Sequence, residues 1–176
     1  MDTGENFIVR SRALLDEEYR IKLRRAVEAL PPDRLWWRPN EQSNSVGNLL
    51  LHLEGNVRQW IVSGVGGERD TRQRAAEFAA TEGASAEELL QRLEQTLDEA
   101  DAVLARLRPD SLGDRRTIQA RDVTVLDAVY QVVTHFALHL GQIILVAKER
   151  VPGAVQFYED AGGTARPIWK EQGVRR

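Results

Sequence analysis

The sequence predicts an all-α protein: a four-helix bundle in up-down-down-up order, with a long crossover between helices two and three. Three observations carry that expectation. Four long segments place apolar residues at the three-and-four spacing of a helix with one buried face. No stretch of alternating apolar and polar residues is long enough to argue a sheet. One connection, residues 63–84, runs to 22 residues with four glycines, where neighbouring helices of a bundle are usually joined by about 2–8.

Helix one is expected over residues 5–30, with Ile8, Leu15, Tyr19, Leu23, Ala26 and Leu30 on one side and Pro31-Pro32 as its stop. The following loop, DRLWWRPNEQSNS, holds Trp36 and Trp37 and ends in a polar cluster suited to an N-cap at Asn44 or Ser45. Helix two then spans about 46–62, turning Leu49, Leu53, Val57, Trp60 and Ile61 inward. Its 22-residue exit can run the length of a helix of about 25 Å, which lets helices two and three lie parallel. A short helix within 71–78 would cover one end.

Helix three opens on a capping box, Ser85 to Glu88, followed by Leu90, Leu93, Leu97, Ala100, Leu104 and Leu107, and Pro109 ends it. Residues 115–123 have the makings of a short extended pair. Helix four starts at Thr124, whose hydroxyl can cap it, and continues to about Arg150 before Pro152-Gly153. Residues 151–176 read as an irregular C-terminal tail of one domain covering 1–176.

Composition narrows the functional classes. The net charge of -3 argues against nucleic acid, since duplex binders normally show a basic excess. Without cysteine there are no disulfides, thiolate ligands or Cys nucleophile. The N-terminus, MDTGENFIVR, has no apolar signal region, which suggests a cytoplasmic protein. Residues 128–147 are free of formal charge, but Gln131, Thr134, His135, His139 and Gln142 interrupt them. A buried helix of a soluble bundle fits better than a membrane span.

The chain has three histidines, His52, His135 and His139. The last two are four residues apart, so on a helix they project about 40° from one another. Gln131, His135, His139 and Gln142 fall within an arc of about 80° on a helix that otherwise buries hydrocarbon. Unpaired buried polar groups cost roughly 1–3 kcal/mol each, so such a stripe needs a reason. With His52 from helix two, a three-His metal site with an open position is one reason. A self-satisfied hydrogen-bond cluster is the other. Asn56 lies one turn beyond His52 and Asn48 one turn before it, as polar companions.

Glu54 and Arg58 are expected on the pocket edge or in solvent, and Arg69, Arg72 and Arg74 as solvated charge. No residue stands out as a general base. Val133, Ala137, Leu140 and Ile144 lie opposite the histidine line and are apolar, which suggests a homodimer contact.

The segments SNSVGNLLLHLEGNVRQWI and THFALHLGQI resemble the DinB-like superfamily of small four-helix metalloproteins, over about 6–148. Trp37-Arg38-Pro39 looks like the bacterial branch with a Trp-Arg-Pro element before helix two. The resemblance implies one divalent ion per chain, such as zinc or nickel, on His52, His135 and His139. Gly141-Gln142 also matches, with Gly141 read as allowing close helix approach; on the residues themselves, Asn56, Gln131 and Gln142 are the polar candidates beside such a site, suited to orienting a ligand or an imidazole. The resemblance further implies a homodimer and, in some members, transfer chemistry on a small-molecule substrate with a low-molecular-weight thiol. Hydrolysis of a small substrate, and a non-catalytic metal-binding, stress-associated dimer, remain open beside it.

Overall fold

The first helix, α1, covers residues 3–28. It begins behind Asp2, whose side chain accepts a hydrogen bond from the Glu5 N–H at 2.8 Å. It is regular over Thr3–Ala13, widens to a π-helix over Leu14–Tyr19, and returns to α over Arg20–Glu28. The structure is a computed structural model and describes residues 2–169. Among these the chain is mostly helical.

Helix α2, residues 46–65, starts at Ser45 and Asn48, whose side chains satisfy each other's backbone N–H groups in a capping box. It is α-helical over Val46–Val57 and π-helical over Arg58–Val65, three residues past the expected end. The crossover carries a short helix, α3 (Arg74–Ala79). Helix α4 (Ala86–Leu104) and helix α5 (Val125–Arg150) each begin with a capping box, Ser85 with Glu88 and Thr124 with Asp127. Helix α4 ends at Leu104, so the expected Leu107 lies beyond it.

The four long helices share one core. Leu23, Leu50, Leu53, Val57, Ile61, Leu90, Leu93, Leu104, Phe136 and Ile143 are all effectively sealed from solvent. Burying a side chain of this size contributes about 1.5–3 kcal/mol, so the stripes read from the sequence are what bring the helices together.

Two short hairpins complete the description. Strands β1 (Arg115–Ile118) and β2 (Arg121–Thr124) pair antiparallel around Gln119 and Ala120, both in the left-handed region. That turn feeds straight into the Thr124 cap of α5. The C-terminal stretch departs from the irregular tail expected of 151–176. Its strands β3 (Tyr158–Asp160) and β4 (Ala165–Pro167) form a second antiparallel pair, and residues 170–176 lie outside the described residues. Aromatic rings make the difference: Phe157, Tyr158 and Trp169 surround the Lys22 ammonium at 4.8–5.9 Å, and Tyr158 Oη accepts from it at 2.8 Å.

The apolar back of α5 also needs correction. Leu140 belongs to the core at 4% exposure, because the buried arc of the helix reaches it together with Val129, Val132 and Phe136. The face left open carries Leu126, Tyr130, Leu138 and Leu145 instead, with Val133, Ala137 and Ile144 half-buried at its margin. By length and composition alone α5 could cross a membrane.

Candidate metal centre

His135 and His139 sit one turn apart on α5, and His52 faces them from α2. Nitrogen atoms of the three rings lie within 4.8 Å of one another. The Nε2 atoms of His52 and His135 approach to 2.8 Å. All three ring pairs meet edge to face, with centroids 4.4–5.0 Å apart. His52 is buried and the other two are half-buried, so the group closes toward α2 and opens along α5.

The electrostatics keep the α5 pair neutral. Burial pushes His135 down to about 4, helped by repulsion from His139, His52, Arg72 and Arg74. Burial also lowers His139, against a hydrogen bond to Gln142 that favours its charged form. Neutral imidazoles are the form that binds metal.

Gln142 Oε1 stands 2.7 Å from His139 Nδ1 and can accept only from an N–H, so it fixes the proton on Nδ1 and leaves Nε2 for a ligand. Gln131 lies one turn before His135, and its Oε1 is buried without a hydrogen-bond partner among the described residues. Asn56 is buried one turn beyond His52. Asn48 does not face the site: its Nδ2 donates to the carbonyls of Glu77 (2.8 Å) and Ala80 (2.7 Å). Gly141 brings no helix closer, since a Cβ there would meet nothing within 4 Å.

The crossover contributes what the sequence reading missed. Glu77, from α3, is buried, and its Oε2 lies 2.9 Å from His52 Nδ1. Arg72, expected from the sequence as solvated charge, is half-buried as a residue, with its side chain only 4% exposed. Its Nε and Nη2 grip the two Glu77 oxygens at 2.7 and 2.9 Å, and its Nη1 donates to Gln59 Oε1 at 2.9 Å. Burial pushes the Glu77 carboxyl up, but hydrogen bonds from Arg72 and His52 outweigh it and hold the group below the usual carboxylate range. Phe78 packs its ring 4.8 Å from that of His52, and Arg74 covers the other partner of that stack by lying 4.8 Å from Phe78.

Nothing in the spacing of the crossover marks Glu77 as special. One signal was present: an acid in a short helix of a linker far longer than its span requires.

The tryptophans divide as well. Trp36 is structural, its ring seated on Gly47 and its Nε1–H donated to the Ala84 carbonyl at 3.3 Å. Trp37 lies under the Arg150 guanidinium at 3.5 Å, and Arg38 donates to the carbonyls of Phe78 and Ala80 at the end of α3. A cavity of about 410 Å³ beside the crossover is lined by Arg58, Arg72 and Arg92, but each is paired with a carboxylate, Glu99, Glu77 and Glu54 respectively. Glu54 and Arg58 line this cavity, which none of the three histidines lines.

A helical fold that draws three histidines from two helices into one cluster is the class these observations define. The chain belongs to the family described as "Protein of unknown function (DUF1572)", whose model matches residues 2–154. No curated protein matches it. Among solved structures it is similar to a DinB-like protein, YjoA, from Bacillus subtilis. The TM-score is 0.58 and the identity 19%, over 77% of this chain and 90% of that one. The fold is therefore DinB-like.

Proposed function

We propose that His52, His135 and His139 hold one divalent ion, zinc or nickel, and that the protein is a metal-dependent transferase of a small molecule with a low-molecular-weight thiol as cosubstrate. The observation that carries the reading is the convergence of three imidazoles within 4.8 Å. The ligand set of neutral imidazoles suits zinc and nickel alike. When bound, such an ion supplies Lewis acidity, making a coordinated water or thiol a stronger acid.

The chain's own residues set the rest. With no cysteine anywhere, the nucleophilic sulfur must come from the cosubstrate. Gln142 orients His139, and the free Gln131 oxygen can accept from a ligand donor. On the same reading the helices form an up-down-down-up bundle, Trp37-Arg38-Pro39 marks the corresponding DinB-like branch, and the protein is cytoplasmic. The open apolar face of α5 pairs two copies into a homodimer; its exposed Tyr130, Leu138 and Leu145 support this.

Elemental analysis of the purified protein beside a His135→Ala/His139→Ala variant tests the site. About one zinc or nickel per chain, lost in the variant, is the expected result for a three-His site. A wild type that takes up no divalent metal overturns the reading. Assays with thiols and a model electrophile then test the chemistry. Turnover without thiol would assign a hydrolase, and bound metal with no turnover a non-catalytic role.

A further inference from the structure

Glu77 and Arg72 lie outside the ligand set, yet they are among the most completely buried charged side chains near it, at 9% and 4% side-chain exposure. Burying such a pair is weak evidence for stability, because desolvation offsets most of the attraction. Its placement is more telling. Glu77 Oε2 meets the Nδ1 edge of His52, while the Nε2 edge, across the ring, faces His135. The carboxylate cannot reach the open side of the cluster, so it is not placed to exchange protons with a substrate there.

We propose that Glu77, locked by Arg72, is a positioning residue that holds the proton of His52 on Nδ1 and so presents Nε2 to the metal. This inference rests on the metal-site reading above. A carboxylate accepts and never donates when ionised, so at 2.9 Å it requires an N–H on Nδ1. Arg72 Nη2 also lies 3.1 Å from Nδ1, but it is a donor already directed to Glu77 Oε2 at 2.9 Å. The carboxylate accepts the hydrogen bond, and the proton stays on Nδ1. Carboxylate–histidine pairs behind metal ligands act in this way, fixing tautomer and ring direction.

Three contacts keep the carboxylate in place. The Arg72 fork grips both oxygens. Asn48 and Arg38 hold the carbonyls of Glu77, Phe78 and Ala80, anchoring α3 itself. Gly55, one turn from His52, leaves room: a Cβ there would collide with Glu77 Oε1 and come within 2.9 Å of Arg72 Nε. A linker that returns to α2 and supplies this carboxylate is thereby part of the centre.

The test uses full-length wild type, Glu77→Ala, Glu77→Gln and Gly55→Ala. Nitrogen-15 NMR of the imidazoles in metal-free protein reads the His52 tautomer, and Zn²⁺ competition against a chromophoric chelator reads affinity. Wild type is expected to carry Nδ1–H on His52. Glu77→Ala is expected to lose that preference and weaken Zn²⁺ binding about 10–100-fold. Glu77→Gln, whose amide oxygen can still accept, should fall between the two. Gly55→Ala displaces the Glu77 carboxylate and Arg72 Nε but no backbone, so it should keep the fold, report even if Glu77→Ala does not fold, and weaken binding in the same direction.

An Nε2–H tautomer in wild type, or Zn²⁺ affinity unchanged in folded Glu77 and Gly55 variants, overturns the inference while leaving the metal site standing. A wild type that binds no Zn²⁺ removes the site, and the inference with it.

Discussion

The two walls of the histidine cluster are built by opposite means. On α5, His135 and His139 are four residues apart on one helix, and Gln142, three residues on, orients His139. Helical geometry alone brings these groups to one face. On the α2 side, His52 meets a carboxylate 25 residues away, which an arginine of the crossover holds and an asparagine of the α2 cap anchors. The first wall should tolerate changes to its surroundings so long as the helix forms. The second should fail whenever the crossover loosens, even though its ligand sits in the core.

The largest effect should come from the α5 wall itself: His135→Ala/His139→Ala is expected to abolish metal uptake by elemental analysis while the helix, capped by Thr124, persists in circular dichroism. Asn48→Ala attacks the other wall from its anchor. It removes the Oδ1 that accepts from the Ser45 N–H and the donor to two carbonyls, which should lower stability in urea unfolding by about 2–3 kcal/mol and weaken Zn²⁺ binding as well. The corresponding cap on α5, Thr124→Ala, should cost about 1 kcal/mol and leave Zn²⁺ affinity at the wild-type value. Equal loss of affinity in both cap variants would erase the distinction between the walls.

Glycines give a finer contrast. Gly47→Ala would push a methyl into the Trp36 ring, whose atoms lie 2.7 Å from the new Cβ, and should cost about 1–3 kcal/mol. Gly141→Ala enters open space on α5 and should raise stability by up to about 1 kcal/mol through helix propensity.

The smallest effect is a pH slope. The folded value of His135, about 4, lies below its ordinary 6.5, so between these the unfolded chain binds more protons. Metal-free protein should hold its full stability above about pH 6.5 and lose part of it as the pH falls toward about 4. Urea midpoints across that window should fall less steeply for His135→Asn. An equal slope in the variant would mean that the α5 pair is not held neutral by its surroundings.

How much of this could be read in advance depended on range. Ser85 and Thr124 announced their caps, and Ser45 was one of two candidates beside Asn44, because a cap is a contact between residues about three apart; the boxes completed by Asn48 and Asp127 emerged in the structure. The ends of α2 and α4 were less legible, since the π-turn over Arg58–Val65 and the stop at Leu104 depend on what packs beside them. Periodicity placed Leu140 on the back of α5, while the real buried arc is rotated enough to take it into the core. The hairpin at 158–167 escaped because its support comes from Lys22, far earlier in the chain.

Local spacing alone accounts for the helical segments, most of their N-caps, and three histidines on two of the helices. Each follows from spacings within a few turns, where backbone geometry dictates which side chains meet. Long-range packing, by contrast, is what folds the 22-residue connection back to bury the Arg72 and Glu77 side chains against His52. An arginine and a glutamate in a polar linker look the same whether solvated or buried. Their roles depend on where the chain returns, and that is set by the packing of residues distant in sequence.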